Sequence, residues 1–491
     1  MPKSRYPNIL WIGADEQQRS TIGAYGSNFC RTPCLDRLAE QSLVFDNALT
    51  PTAVCAPARA SLLTGRLPSE GSVNSNDRMD WTVPYLQIAG PRIMPTWAPV
   101  LRQAGYRLVY AGKWHVVPDD TPPSAYGFEG PDWPGYGGSD HNRDFHAYRR
   151  KLNLPGKSQL EDVVTPKHVV PPWFNPISGK VAGDEKGGLT AFLGQTALNY
   201  LDELAEERKT TGRPFMLRCE FWGPHISCFV PEPYFSMYDP DKIPLPDNFG
   251  KLGENKPEVQ RNFWGSWGIS NQTQAVQRRV IAAYLGYVTY IDTQVGRLIE
   301  AMERHGLADD TIVIYTTDHG DMLGSHGLYD KGPFMYEEIY RVPLMVRWPG
   351  VVGPGRSDAL VYNMDLAPTM WEIVGESQPQ GGSSRSLLPL LQGRQKDLGR
   401  DYLICEFHRQ HEFYPQAMVH SGFDKYIYNF GGTDEYYDLR TDPGEMINRF
   451  RDPSCKQRIC RLRAELHAWM LKVRSPMREG FERTLQAKLL G

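Results

Sequence analysis

Residues 55 to 65 read Cys-Ala-Pro-Ala-Arg-Ala-Ser-Leu-Leu-Thr-Gly. Pro57 has no backbone N–H to lose in a first helical turn, Ala58 to Leu63 suits a short helix, and Gly65 suits its end. Cys55 is therefore placed near a helix N-terminus. Unpaired N–H groups and the helix dipole favour negative charge there, and Arg59, one turn on, adds a fixed cation. The chemistry this spacing offers is a reactive atom inside an anion site. A buried cysteine beside a surface arginine is the plainer reading of the same residues. A cysteine phosphatase also carries a thiolate in an anion-binding loop, but its arginine lies further from the cysteine, where Ser61 stands here.

The other residues able to do chemistry follow apolar runs. Asn8 to Ala14 is continuous and apolar, like a buried parallel strand, and stops at Asp15-Glu16. Tyr106 to Ala111 ends in Gly112-Lys113-Trp114-His115, and Phe215 to Phe221 in Trp222-Gly223-Pro224-His225. Thr311 to Thr317 ends in Asp318-His319-Gly320-Asp321, with His326 and Lys331 a little beyond. In open α/β sheets, ligands bind at the carboxyl ends of strands. Each group has a plain alternative when taken alone: a solvated acidic turn, a surface lysine, a packed or turn-capping histidine. Together Asp15, Glu16, Asp318 and His319 make an oxygen-rich set with one nitrogen, suited to a hard divalent cation rather than zinc.

These residues need a frame, and the periodicity predicts one. Helices are expected over Pro33 to Ser42, Thr96 to Ala104, Leu189 to Arg208, Gln274 to His305 and Asp365 to Val374, with a further strand over Pro343 to Trp348. Residues 117–188 and 232–272 read as loops; Trp133, Tyr136 and Trp173 are candidates for stacking on a substrate, although packing under loops is the commoner role. The Gly/Ser/Gln-rich stretch 375–384 reads as a boundary between a catalytic domain, 1–375, and a smaller α+β unit, 385–491. That unit is expected to hold short strands at Tyr402 to Phe407, Gln416 to His420 and Lys425 to Asn429, with a helix from Cys455 to Val473. The charged residues from Arg474 onward are free to reach a neighbouring copy of the chain, as in a homo-oligomer, or to cover the pocket.

Across 491 residues, hydrophobic types make up 41% and charged types 23%, so a large core is available. A net charge of -3 carries no basic field for nucleic acid. No apolar stretch reaches the length of a membrane span or signal peptide, which implies a cytoplasmic protein unless a leader has been trimmed. The eight cysteines are too sparse for a disulfide framework. Cys30 and Cys34 have the spacing of a metal pair but no partner pair, so free thiols are expected.

Cys55, Pro57, Arg59 and Leu63-Thr64-Gly65 resemble the signature of the sulfatase family, whose cysteine is oxidised to formylglycine. Gly112-Lys113-Trp114-His115, Pro224-His225, and the run from Asp318-His319-Gly320 through Gly324, His326-Gly327 and Lys331-Gly332 are similar to further blocks of that family. Tyr437-Asp438-Leu439 with Asp442-Pro443 resembles its closing block. The resemblance implies an alkaline-phosphatase-like α/β fold: a mixed, mostly parallel sheet flanked by helices, with a smaller C-terminal antiparallel sheet and helix. It implies hydrolysis of a sulfate monoester, of a carbohydrate or another small organic molecule, after a formylglycine-generating enzyme has modified Cys55. Asp15, Glu16, Asp318 and His319, with residue 55, would hold one divalent cation, calcium before magnesium or manganese. Arg59, Lys113 and Lys331 would offset charge, His225 or Lys331 would protonate the leaving oxygen, and His115 would act as base. His326 is a weaker candidate. Glu16 stands where Asp is more usual, and His319 where arylsulfatases often have Asn. The related phosphonate monoester and phosphodiester hydrolases are the alternative; they typically carry Gln at the Glu16 position, and Tyr and Thr at those of Lys113 and His115.

Overall fold

The computed structural model describes residues 6–71, 73–76, 95–116, 122–133, 142–167, 174–263, 268–410 and 412–487. Its strands, in chain order, are β1 (Asn8–Asp15), β2 (Leu43–Leu49), β3 (Arg107–Gly112), β4 (Leu160–Val164), β5 (Ser178–Val181), β6 (Phe215–Pro224) and β7 (Cys228–Pro231). They continue with β8 (Thr311–Thr317), β9 (Leu344–Arg347), β10 (Gly355–Tyr362), β11 (Leu403–Gln410), β12 (Glu412–His420), β13 (Asp424–Asn429) and β14 (Glu435–Asp438).

Seven of these strands form the main sheet in the order β10-β2-β9-β8-β1-β6-β3. All neighbours pair in parallel except at β9, which runs antiparallel to both β2 and β8. Successive side chains of a strand point to opposite faces, and here both faces are covered. Leu10, Ile12, Leu217, Val313 and Tyr315 pack with the helices Leu189–Thr211 and Gln274–Arg304. Ile9, Trp11, Met216, Ile312 and Ile314 pack with the helices Cys55–Thr64 and Leu366–Ile373. That explains the unbroken apolar runs: β1, β6 and β8 have no solvent face to mark with polar residues.

The second sheet is antiparallel, β11-β12-β13-β14. It carries the helix Lys456–Val473, whose Leu462, Leu466, Trp469 and Met470 share a core with Tyr426, Ile427 and Tyr436 of the sheet. The same core reaches Leu49, Met322 and Tyr336 of the larger unit.

The structure revises some of these expectations and adds detail to others. Residues 117–188 are more than loops: they hold the helix Arg143–Lys151 together with β4 and β5, which join β7 in a small third sheet. Residues 232–272 include the helix Glu258–Phe263. Trp133 packs at a tilt against Phe192 and Trp222 in the core, the commoner role, while Tyr136 and Trp173 lie outside the described residues. The stretch 375–384 is laid over the end of the Cys55 helix, with Gln378 Nε2 donating to Thr64 O at 2.8 Å and Ser384 Oγ to Gly65 O at 2.6 Å. The C-terminal segment forms the helix Arg478–Ala487, whose buried Phe481 packs edge-on to Tyr428 of β13. It packs on the small sheet. All eight cysteines, Cys30 and Cys34 included, are free thiols.

Candidate active site

β8, β1, β6 and β3 are consecutive and parallel, so their carboxyl ends lie along one edge of the sheet. Asp318 and His319 leave β8, Asp15 ends β1, His225 follows β6 and Lys113 follows β3. Backbone bonds stitch these exits together: Glu16 N donates to Asp318 Oδ1 at 3.0 Å, His225 N to Asp15 O at 3.2 Å and Lys113 N to Glu220 O at 3.0 Å. Gly112 has a φ of 126°, and a Cβ there would lie 1.9 Å from Glu220 O, so only glycine lets β3 turn Lys113 into the site.

The Cys55 helix delivers the fifth component. Cys55 opens it, Gly65 closes it in a left-handed conformation with its N–H on Ser61 O, and every residue between is buried. Two apolar faces at once explain the absence of a polar stripe. Asp15, Cys55, Asp318 and His319 each place a ligand-type atom within 4.8 Å of the others, and all four are buried. Cys55 Sγ lies 3.2 Å from His319 Nε2. Arg59, 1% exposed, spreads its guanidinium over the same group: Nε to Asp318 Oδ2 at 2.9 Å, Nη1 to Lys113 O at 2.9 Å and to Glu220 Oε2 at 3.2 Å, and Nη2 to Asp15 Oδ1 at 3.5 Å. Lys113 Nζ is bonded to Asp15 Oδ2.

Glu16 is placed differently from the other acids named from the sequence. It joins His225 and Asp330 in a second buried group. Its Oε2 is 2.9 Å from Lys331 Nζ and 3.1 Å from His225 Nε2, and its carboxyl also meets that of Asp330; burial and then Asp330 raise it well above the usual carboxylate range. Glu16, His115 and Asp330 all hold left-handed backbone, with φ of 62°, 39° and 61°, a conformation that non-glycine residues rarely adopt and that clusters at functional sites. His326 lies apart, stacked on Tyr336 with ring centroids 3.9 Å apart.

Burial and charge set the protonation. Burial, then the facing Asp318, raises Asp15 well above the usual carboxylate range. Burial opposes ionisation of Asp318 too, but Arg59 and His319 outweigh it and hold that carboxyl low. Burial likewise pushes the Cys55 thiol up, and Lys113, Lys331 and His319 overcome it, leaving the thiol well below its ordinary value. Burial lowers His115, which hydrogen-bonds to Cys55. Burial and then Lys331 lower His225 to about 4. Its Nδ1 meets the Ile226 carbonyl, which can only accept, so Nε2 is the acceptor facing Lys331 at 3.0 Å.

The donor set fits a divalent cation. The buried acids Asp15, Glu16, Glu220, Asp318 and Asp330 face the cations Arg59, Lys113, Arg218 and Lys331 and the imidazole of His319. Asp15, Asp318 and His319 offer two carboxylate oxygens and an imidazole nitrogen, with the sulfur of Cys55 as the fourth donor.

Sequence reasoning missed two residues. Asp330 reads as an acid beside a lysine, a common surface pair. Glu220 had a signal: with Arg218 it interrupts an apolar strand at i and i+2, the spacing of two charges on one buried face.

The sulfatase family model matches residues 7–376, and that of the N-sulphoglucosamine sulphohydrolase C-terminal region matches 324–472. The N-acetylglucosamine-6-O-sulfatase of Bacteroides thetaiotaomicron is 26% identical over 91% of this chain and 83% of its own length. The choline-sulfatase of Rhizobium meliloti is 29% identical, with the same coverage. Among solved structures, the phosphonate monoester hydrolase of Agrobacterium radiobacter has a TM-score of 0.78 at 24% identity, covering 96% of this chain and 95% of that one. A protein crystallised with its substrate D-glucosamine-2-N,6-O-disulfate has a TM-score of 0.71 at 21% identity, covering 96% and 99%. With a family match across the whole sheet and its strand-end residues, the chain belongs to the sulfatase family and is a hydrolase of sulfate esters.

Proposed function

We propose that this sulfatase removes sulfate from a carbohydrate or another small organic sulfate ester, with residue 55 as nucleophile after oxidation of its cysteine to formylglycine. The observation that carries this reading is the convergence of Cys55 with Asp15, Asp318 and His319 inside one 4.8 Å cluster. The relatives named for a sulfated sugar and for choline sulfate support the substrate class.

Sulfate ester hydrolysis needs a nucleophile, charge neutralisation and a proton for the departing oxygen. A divalent cation, calcium for the hardness of its donors, held by Asp15, Asp318, His319 and residue 55 with Glu16 as a further donor, would supply Lewis acidity at the reacting oxygens. Arg59 and Lys113, both buried against the acids, fix positive charge around residue 55. One hydroxyl of the hydrated aldehyde, which the cation would keep ionised with its proton lost to water, forms the new bond to sulfur as the ester S–O bond breaks. The leaving oxygen takes its proton from Lys331, because His225, lowered to about 4, is neutral and accepts from that ammonium. His115, kept neutral by burial, then removes a proton from the second hydroxyl, so that sulfate departs and the aldehyde returns.

The test is the mass of the peptide spanning residue 55 in protein made beside a formylglycine-generating enzyme, followed by sulfate release from sulfated sugars, choline sulfate and aryl sulfates. A loss of about 18 mass units with turnover is expected. Turnover by protein whose Cys55 is wholly unmodified would overturn the nucleophile. Phosphonate monoesters and phosphodiesters serve as controls for the alternative, and preference for them would overturn the substrate class.

A further inference from the structure

Lys331 is the proton donor in the reading above, and the inference here rests on that reading. An ammonium has three N–H bonds, and in this structure each meets a buried acceptor: Asp330 Oδ1 at 2.7 Å, Glu16 Oε2 at 2.9 Å and His225 Nε2 at 3.0 Å. An ester oxygen must therefore displace one of the three. All three bonds are charge-assisted at the ammonium; the imidazole is a neutral acceptor and makes the longest of them, so it is the one that gives way.

Asp330 is itself held rigidly. Its left-handed backbone is fixed by an N–H on Asp321 Oδ1 at 3.3 Å and a carbonyl that accepts from Met322 N at 3.0 Å. Asp321 Oδ1 also accepts from Leu323 N at 2.6 Å, which ties the loop to itself. Asp330 makes no contact that would place it in the Asp15, Cys55, Asp318 and His319 group.

We propose that Asp330 is a positioning residue: with Glu16 it fastens two N–H bonds of Lys331, so that the third is aimed at the space beside His225 where the leaving oxygen binds. Without it the ammonium keeps its charge but swings between Glu16 and His225.

The test uses D330N and D330G in full-length, calcium-loaded protein with residue 55 modified, on substituted phenyl sulfates of graded leaving-group pKa. Both variants tolerate left-handed backbone, so the fold survives in at least one. Loss of an aimed proton donor is expected to lower kcat/KM about 100-fold for the poorest leaving group and less than about threefold for the best. Calcium affinity, measured by calorimetry, stays within about threefold of wild type, and formate restores part of the D330G activity. An equal loss for every leaving group, no loss at all, or a fall in calcium affinity would overturn the proposal. If wild type hydrolyses no phenyl sulfate, the reading of the reaction has failed separately. Crystal structures of wild type and D330N then decide the inference: a Lys331 ammonium that keeps its place in D330N overturns it, and one displaced or split between Glu16 and His225 sustains it.

Discussion

Glu220 offers a test that depends on no assumption about substrate. It lies on β6, 3% exposed, and its two oxygens serve two buried cations: Arg59 Nη1 at 3.2 Å and Arg218 Nε at 2.7 Å. Arg59 has other partners. Arg218 keeps mainly the faces of Trp11 and Tyr110, at 4.4 Å and 5.6 Å from their centroids. In Glu220→Gln one amide oxygen still accepts from one guanidinium, while the amide N–H groups face the other. Stripping one partner from a buried ion pair costs about 3–5 kcal/mol, and a charged hydrogen bond contributes about 1.5–3 kcal/mol. With one bond retained, the loss is about 3 kcal/mol, or about 3 °C in Tm, because an unfolding entropy of roughly 2.1 cal/mol/K per residue makes 1 kcal/mol worth about 1 °C in a chain of this length. Thermal and urea unfolding followed by tryptophan fluorescence measure it. Gly13→Ala is a companion, because its Cβ would sit 2.3 Å from Glu220 Oε2 and push that carboxylate off both arginines. If Glu220→Gln unfolds within about 1 kcal/mol of wild type, the arginines are balanced by something other than Glu220 and the charge argument for the site is wrong.

Three further outcomes follow from the geometry. Cys55→Ala is expected to abolish sulfate release, by about a thousandfold or more, with unfolding unchanged within about 1 kcal/mol; residual turnover near wild type would refute residue 55 as nucleophile. Asp318→Asn should weaken calcium binding about 100-fold by calorimetry while residue 55 is still modified by mass, since Asp318 is the acid held ionised by Arg59 and His319; unchanged affinity would remove it from the cation site. Asp438 is held below the usual carboxylate range by hydrogen bonds from Arg440, and, against some burial, from Arg458 on the helix Lys456–Val473. A lowered folded pKa adds stability above the unfolded value of about 3.9, and that stability disappears as pH falls through the folded one. Asp438→Asn should therefore be less stable than wild type at pH 7, with a gap that closes in acid; a gap independent of pH would contradict the pairing.

Legibility tracked burial pattern and distance along the chain. β1, β3, β6 and β8 show as apolar runs because both their faces are covered. β10 begins Gly-Arg-Ser-Asp at the exposed edge of the sheet and has no unbroken apolar run to mark it, although it pairs with β2 over six residues. β4 and β5 are short and polar and exist through pairing with each other and with the distant β7. The same contrast holds at the site. Cys55, Arg59, Lys113, His115, His225, Asp318 and His319 stand in recognisable local company. Asp330 was hidden because an acid next to a lysine is usually solvated.

Residue types and their places directly after apolar runs were determined by the sequence alone, because the sterics and periods that mark strands and helix starts act over a few residues. That those strand ends coincide was decided by tertiary structure. Parallel pairing of β8, β1, β6 and β3 joins residues about three hundred apart, such as Glu16 and Asp318, and no local pattern records which strand lies beside which. Tertiary structure also divided the two adjacent acids of β1's exit. The left-handed turn at Glu16 sends its carboxylate to Lys331 while Asp15 stays with Cys55, so neighbours in sequence serve two different parts of one site.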